Sequence, residues 1–227
     1  MARVILGVTG SVAAVKTPDL FAALRGAGHE VRVVATEPAL YFFDPAAIDE
    51  LARGNGSTDP AMAGPVVLRD RDEWPAPGYR RGDPVRHIEL RKWADALVIA
   101  PLDANTLAKL ALGLSDNFLT CVFRAWDFAR PAFLAPAMNT VMWESPVTRR
   151  HLGLLLEDRA GIGVPREWTL DEAPALFARL APRVILIPPQ AKALACGDVG
   201  IGAMADVTRI AEIVRDWSFQ ANGAENP

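Results

Sequence analysis

The sequence predicts a single α/β domain built on a doubly wound parallel sheet with helices on both faces. Short apolar, β-branched runs alternate with amphipathic helical patterns along the chain. Several of these runs end in proline, glycine or a small polar residue that opens the next helix. A chain of 227 residues is long enough for one sizeable core, and it contains no internal repeat.

Composition narrows the partners that this protein can have. The formal net charge is only −3, so no basic excess suggests nucleic acid or an anionic membrane. The longest apolar runs are strand-sized, far short of the ~20 residues that cross a bilayer. Two cysteines, Cys121 and Cys196, are too few for a disulfide framework or a zinc site. With no signal-peptide pattern at the amino terminus, we expect a cytoplasmic protein without a metal.

The amino-terminal part predicts two strand–turn–helix units. Residues 4–8 form a strand, Thr9-Gly10-Ser11 a turn, and residues 12–25 a helix. The free N–H groups of such a helix start suit a phosphate, and the absence of GxGxxG spacing favours a mononucleotide over NAD. A second strand at residues 30–35 precedes a helix that begins within residues 36–43.

The middle of the chain is irregular and then returns to the same pattern. Residues 44–83 lose periodicity apart from a short strand at 66–68, so we expect this segment to cover a sheet edge or an interface. His87 opens a short helix before the strand at residues 96–100. It is either an ordinary histidine or a proton-transfer group near the ligand edge. Pro101 ends that strand, and residues 104–112 form a helix.

A strand at residues 131–135 ends in a more unusual segment. After Pro136 comes Asn139, a polar amide among the large apolar groups of Met138, Met142 and Trp143. The carboxyl end of a strand is where an open α/β sheet binds its ligand. Asn139 is therefore either a ligand contact or the cap of the following helix.

The remaining elements complete the sheet and its cover. Residues 115–117 begin a helix in which Cys121 is interpreted as a packing residue and not a reactive thiol. We predict further helices at residues 147–157, 171–180 and 207–217, a last sheet strand at 184–187, and a glycine-rich loop at 194–205.

The segment from Pro136 to Trp143, Pro-Ala-Met-Asn-Thr-Val-Met-Trp, resembles the PxMNxxMW motif of the flavin-containing cysteine decarboxylases, a family that includes the phosphopantothenoylcysteine decarboxylases. Four more stretches resemble this family in the same order, at residues 87–91, 100–106, 116–126 and 195–205. The resemblance implies a flavodoxin-like (Rossmann-like) fold. It implies a flavoprotein domain over residues 1–218, with irregular insertions at about 44–83 and 158–183 and a disordered tail at 219–227.

The resemblance also implies a cofactor, a site and an assembly. FMN is expected at subunit contacts of a homotrimer, which some members assemble further into a dodecamer. The expected catalytic residues are His87, Asn139 and Cys196. The expected substrate-binding residues are Met142, Arg91, Lys92, Ala137 and Met138. The expected FMN-binding residues are Gly10, Ser11, Val12, Thr36, Phe42, Ala104, Asn105 and Thr106.

The implied reaction is the oxidative decarboxylation of a cysteine whose carboxylate is free. Oxidation at Cβ gives a thioaldehyde, which serves as an electron sink, so that loss of CO2 yields an enethiolate. His87 would take the thiol proton, and Asn139 would orient the carboxylate. Cys196 would protonate the enethiol if the product is afterwards reduced to a saturated thiol.

Three functions remain open from the sequence. Cys196 favours phosphopantothenoylcysteine as the substrate, because only that reaction needs the reductive half. A peptide with a C-terminal cysteine is favoured by the insertion at 158–183 and by Lys92, which stands where relatives carry a second arginine. A non-catalytic FMN-binding regulatory subunit belongs to a different class, and the presence of His87, Asn139 and Cys196 together argues against it.

Overall fold

The computed structural model describes residues 1–52, 65–75, 77–161, 163–193 and 199–223. Within these ranges the main sheet has six parallel strands in the order β3-β2-β1-β4-β5-β6. The predicted doubly wound parallel sheet is therefore confirmed. Its strands are β1 (Arg3–Val8), β2 (Glu30–Ala35), β3 (Val67–Leu68), β4 (Ala96–Leu102), β5 (Ala132–Pro136) and β6 (Val184–Leu186).

Helices cover both faces of this sheet. Along each strand alternate side chains enter two separate cores, as Ile5 and Leu6 do in β1. One core is covered by α4 (Arg86–Trp93), α5 (Ala104–Leu112), α6 (Phe118–Arg124), α8 (Pro146–Ala160) and α9 (Ala173–Leu180), and the other by α1 (Thr17–Gly26), α2 (Pro45–Ala52) and α10 (Val207–Gly223). Burial of both faces explains why the strands are apolar throughout instead of alternating with polar residues.

Three predicted boundaries are wrong for identifiable reasons. β4 does not stop before Pro101 but continues to Leu102. In the same way β5 does not stop before Pro136 but includes it, and Leu102 pairs with Pro136 after a register irregularity beyond Ile99. Proline is tolerated there because such an irregularity removes the ladder hydrogen bond that proline cannot donate. The helix expected from Ser115 begins only at Phe118, because the side chain of Asn117 caps it by accepting from Thr120 N at 2.9 Å.

Segments predicted to be irregular contain further elements. Residues 44–83 include α2, whose Ile48 is buried, and a one-turn helix, α3 (Asp70–Glu73). Two one-turn 3-10 helices, Val12–Lys16 and Glu37–Tyr41, follow β1 and β2 in place of longer predicted helix starts. Another one-turn helix, α7 (Thr140–Trp143), follows β5.

The carboxyl-terminal third differs most from the prediction. The expected glycine-rich loop is in part an antiparallel hairpin of β7 (Gln190–Ala193) and β8 (Val199–Ala203). The tail expected from residue 219 is helical as far as Gly223, where α10 ends, and residues 224–227 lie outside the described ranges. In the described part of the chain, no helix is both long and apolar enough to cross a membrane.

Candidate active site

The topology places a crevice between β1 and β4. The strands that follow β1 along the chain lie first on one side of it and then on the other, so β1 and β4 form the topological switch point of the sheet. Thr9, which follows β1, connects the carboxyl end of β1 to that of β4 by hydrogen bonds. Its hydroxyl donates to Pro101 O at 2.8 Å and accepts from Asp103 N at 2.7 Å. The carboxyl ends of β1 and β4 are thereby held in fixed relation.

Three strand-end turns meet at Gly10. A Cβ atom placed on Gly10 would lie 2.6 Å from Cβ of Pro38, which follows β2, and 3.3 Å from Oδ2 of Asp103, which follows β4. No side chain larger than hydrogen fits there without displacing Pro38. The glycine therefore allows the turns that follow β1, β2 and β4 to pack closely together.

Helix starts beside Gly10 provide suitable donors for an anion. Ser11 caps the first 3-10 helix, its Oγ accepting from Ala13 N at 3.4 Å. Asp103 caps α5, its Oδ1 accepting from Thr106 N at 2.7 Å. Ala104 and Asn105 form the first turn of α5, where N–H groups lack partners within the helix. These groups fit the phosphate of a mononucleotide.

The other expected FMN contacts surround the same edge. Val12 is exposed just beyond Ser11. Thr36 is buried at the end of β2, where its hydroxyl donates to Val8 O at 3.3 Å. Phe42 caps the second 3-10 helix and packs edge-on against Tyr41, with the ring centroids 5.1 Å apart. The described residues contain no cluster of His, Cys, Asp or Glu that could hold a metal.

Asn139 lies beyond β5, the neighbour of β4. Its Oδ1 accepts from Val141 N at 2.8 Å and so caps α7, which confirms the capping interpretation. The capping contact does not exclude ligand binding, because the side-chain amide also carries donors on Nδ2. Ala137 N donates to Leu102 O at 2.9 Å, which joins this segment to the end of β4. Met142 is exposed on α7, whereas Met138 is buried.

The β7–β8 hairpin packs against this segment. Gly202 O accepts from Met138 N at 3.0 Å, and a Cβ on Gly202 would overlap the carbonyl oxygen of Met138. A Cβ on Gly200 would lie 2.5 Å from Oγ1 of Thr140. Two glycines of β8 therefore allow close contact with the start of α7. Cys196 belongs to residues 194–198, between β7 and β8, which lie outside the described ranges.

His87 is held by a residue that sequence reasoning missed. Glu73, the last residue of α3, accepts from His87 N through Oε2 at 2.8 Å, and its Oε1 lies 2.6 Å from His87 Nδ1. On the same short helix, Asp70 Oδ1 accepts from Phe118 N at 2.8 Å. The available signal was the acidic run Asp-Arg-Asp-Glu directly after the short predicted strand.

The remaining residues that the sequence singled out differ in their exposure and in their hydrogen-bond partners. Arg91 donates to Ala125 O at 3.0 Å, the cap of α6, while Lys92 is exposed on α4. Cys121 is half-buried, and its Sγ donates to Ser115 O at 3.3 Å. Burial, followed by the nearby carboxylates of Glu73, Asp116 and Asp70, raises the pKa of the Cys121 thiol. A protonated thiol agrees with the interpretation of Cys121 as a packing residue.

The segment at residues 158–183 lies beside the motif segment, which is Pro136–Trp143. A cavity of about 260 Å³ is lined by Trp143 and Glu144 after the motif, by Leu170 and Asp171 of this segment, and by Ile201 of β8. The insertion noted in the sequence therefore helps to shape the surroundings of α7.

Fold and strand-end turns together define a mononucleotide-binding α/β protein. The chain belongs to the Flavoprotein family, whose model matches residues 1–219. It is 44% identical over 221 residues to a phosphopantothenoylcysteine decarboxylase of Arabidopsis thaliana, covering 97% of this chain and 87% of that protein. A phosphopantothenoylcysteine decarboxylase of Mus musculus is 43% identical over 210 residues, with coverage of 92% and 83%.

Solved structures extend the comparison. A cysteine-to-serine variant of PPC decarboxylase complexed with pantothenoylaminoethenethiol superimposes with a TM-score of 0.72 at 42% identity, covering 95% of this chain and 97% of that one. The FMN-binding protein AtHal3 gives a TM-score of 0.70 at 44% identity, with coverage of 95% and 96%. The FMN-dependent cysteine decarboxylase SpaF gives 0.63 at 27% identity, with coverage of 96% and 97%.

Proposed function

We propose that this protein is an FMN-dependent cysteine decarboxylase that acts on 4'-phosphopantothenoylcysteine and gives 4'-phosphopantetheine. The observation that carries the proposal is the position of the Pro136–Trp143 segment. It lies beside the switch-point crevice, in a chain that is 44% identical to a phosphopantothenoylcysteine decarboxylase over 97% of its length. The switch-point crevice and the Pro136–Trp143 segment, which we propose holds the substrate, are therefore neighbours on the same sheet edge.

The residues around Gly10 fit FMN. The turn after β1 excludes side chains, and the capped starts of the first 3-10 helix and α5 offer N–H groups to a phosphate. Ser11, Ala104, Asn105 and Thr106 would hold that phosphate, while Gly10, Val12, Thr36 and Phe42 would contact the rest of the cofactor. When bound, FMN supplies the two-electron redox chemistry that a side chain cannot provide.

His87 and Asn139 act on the two ends of the reacting cysteine. His87 takes the thiol proton, a role that histidine fills more often than any other residue type in enzymes. Asn139 donates from Nδ2 to the substrate carboxylate, next to the apolar side chains of Met138 and Met142. Apolar surroundings disfavour the charged carboxylate relative to neutral CO2, so binding energy promotes its departure. Ala137, Arg91 and Lys92 complete the proposed substrate contacts.

Cys196 is the proposed proton donor for the reductive half of the reaction. It would supply the proton to the enethiol carbon, while the two electrons that the saturated thiol also requires would come from the reduced cofactor. Support comes from its place between β7 and β8, because β8 contacts Met138 and Thr140 of the motif segment.

We infer that the site is completed in a homotrimer, or in a dodecamer built from such trimers, with FMN at the subunit contacts. Exposed apolar side chains at this edge support the inference: Tyr41 is 88% exposed, and Val12, Val141 and Met142 are exposed as well. Large apolar side chains exposed on one sheet edge commonly mark a surface that a partner covers. Light scattering of the purified protein tests the assembly. That the protein is located in the cytoplasm stays a prediction.

A peptide ending in cysteine is the second candidate substrate. SpaF, an FMN-dependent cysteine decarboxylase at 27% identity, supports cysteine decarboxylation in general, whereas the relative at 44% identity is a phosphopantothenoylcysteine decarboxylase and so supports the first substrate. The test offers the purified protein phosphopantothenoylcysteine and a peptide ending in cysteine in parallel, and mass spectrometry follows both. We expect loss of CO2 from phosphopantothenoylcysteine. Turnover of the peptide alone would contradict the proposed substrate, and turnover of neither would favour a non-catalytic FMN-binding subunit.

A further inference from the structure

We propose that Glu73 is a positioning residue for His87, setting the hydrogen on Nδ1 so that Nε2 is the ring nitrogen that accepts the substrate proton. This inference rests on the proposed function, because it gives His87 its role as the base. Glu73 was not among the site residues expected from the sequence, because it lies in a segment expected to be irregular.

One carboxylate restrains both the ring and the backbone of His87. Oε1 of Glu73 lies 2.6 Å from Nδ1, and Oε2 accepts from the backbone N–H at 2.8 Å. The side chain of Glu73 is only 6% exposed, whereas that of His87 is 23% exposed. The carboxylate is therefore buried behind the imidazole, and the imidazole retains access to solvent. This arrangement orients the ring without blocking its outer edge.

The chemistry of a carboxylate decides the tautomer. An ionised carboxylate can only accept hydrogen bonds, so a short contact with Nδ1 requires the hydrogen to be on Nδ1. In the neutral ring, Nε2 then carries the free lone pair. When the thiol transfers its proton, the S–H electron pair stays on sulfur and Nε2 becomes protonated. The resulting imidazolium is stabilised by the adjacent negative charge of Glu73.

Other charged or titratable groups lie around this pair. Arg86, next to His87 in the chain, pairs with Glu89 at 3.5 Å, and Arg91 donates to Ala125 O. From the other elements the neighbouring groups are Asp70 on α3, Asp116 before α6 and Cys121 on α6. Glu73 differs from these groups because its carboxylate contacts the imidazole directly.

A purely structural role is the main alternative, because Glu73 also satisfies a backbone N–H at the start of α4. Glu73→Gln separates the two roles. A glutamine can keep its carbonyl oxygen on His87 N, but its NH2 then faces Nδ1. The ring must accept at Nδ1 and carry its hydrogen on Nε2, which is the wrong tautomer for a base. A cap alone would survive this substitution.

The test combines tautomer and rate in the FMN-loaded protein. The chain has three histidines, so the ring signals of 15N-histidine-labelled protein can be assigned by comparison with His87→Asn. We expect hydrogen on Nδ1 in the wild type and on Nε2 in Glu73→Gln. We also expect kcat on phosphopantothenoylcysteine to fall by about 10²-fold or more, with unchanged FMN content.

Asp72→Asn is the matched control on the same short helix. In the wild type, Asp72 Oδ2 accepts from Arg69 N at 2.7 Å. Asp72→Asn therefore also removes a carboxylate that binds a backbone N–H. This variant should keep the wild-type tautomer and kcat.

Each result has a definite reading. Hydrogen on Nε2 in the wild type would overturn the proposal even if Glu73→Gln did not fold, and so would wild-type kcat in Glu73→Gln. If the tautomers are as expected but the wild type releases no CO2, the orientation by Glu73 stands and the proposed function is the part that fails.

Discussion

His29 is a buried histidine outside the candidate site. Neither of its ring nitrogens has a hydrogen-bond partner in the described part of the chain. Burial, followed by the positive amino terminus, lowers the pKa of His29. In the unfolded chain His29 therefore binds a proton near its ordinary pKa of about 6.5, whereas in the folded chain it binds a proton only at a lower pH. We expect the free energy of unfolding to decrease as the pH falls from that value through the lowered pKa.

His29→Leu tests this prediction. The apolar side chain removes the titration and leaves no unpaired ring nitrogen, so the decline in unfolding free energy below about pH 6.5 should become shallower. Urea unfolding at a series of pH values measures it. His151→Gln, which changes a half-buried histidine on α8, is the matched control. An unchanged acid-side slope in His29→Leu would contradict the assignment.

Asn139 can be tested with little disturbance of the fold. In Asn139→Asp the new carboxylate still accepts from Val141 N, so α7 keeps its cap. On the proposed role of Asn139, it also places a second negative charge beside the substrate carboxylate. Two like charges about 4 Å apart near a protein surface repel by roughly 4 kcal/mol, so we expect kcat/KM to fall by about 10²-fold or more.

FMN content should not change in Asn139→Asp, because the Gly10 turn is a separate feature of the same edge. Ser145→Asp is the control, since it puts a carboxylate at the cap of α8, where Ser145 Oγ accepts from Val147 N at 3.3 Å. Steady-state kinetics and flavin absorbance are measured on both variants. Near wild-type turnover in Asn139→Asp would remove Asn139 from the substrate site.

The β7–β8 hairpin packs directly against the motif segment, Pro136–Trp143. In Gly202→Ala the new Cβ overlaps Met138 O, so β8 must move away from the start of α7. We expect a loss of about 1–3 kcal/mol in stability. We also expect loss of decarboxylation with FMN retained. Thermal unfolding and product analysis measure the two effects.

Gly26→Ala is the matched control for the hairpin variant. A Cβ on Gly26, at the end of α1, meets no atom within 4 Å. The substitution should be neutral or stabilising by up to about 1 kcal/mol, with full activity. Full activity in Gly202→Ala as well would show that the contact between β8 and the motif segment does not matter for catalysis.

For the molecule as a whole, most of the sheet could be predicted from the sequence. β1, β2 and α5 were predicted to within one or two residues, because apolar runs and capping residues act locally. Parallel strands place their carboxyl ends on one sheet edge, and the contacts with Pro38 and Asp103 agree with that expectation.

What could not be predicted depends on contacts that are distant in sequence. The β7–β8 hairpin has few large side chains and is stabilised by close backbone contact with Met138, which no local pattern encodes. The helix α2 is only eight residues long, too short for its periodicity to stand out. Glu73 reaches His87 across fourteen positions, so its importance is visible only once the chain has folded.

The central claim is that this protein both decarboxylates phosphopantothenoylcysteine and completes the reductive half of the reaction. The most direct measurement is mass spectrometry of the products formed by the wild type, by Cys196→Ser and by the matched control Cys121→Ser. The wild type and Cys121→Ser should give the saturated thiol. Cys196→Ser should stop at the enethiol, lighter by two hydrogens, because a hydroxyl is far less acidic than a thiol of pKa about 8.5. The account would be contradicted if the wild type itself released only the enethiol or left the substrate unchanged.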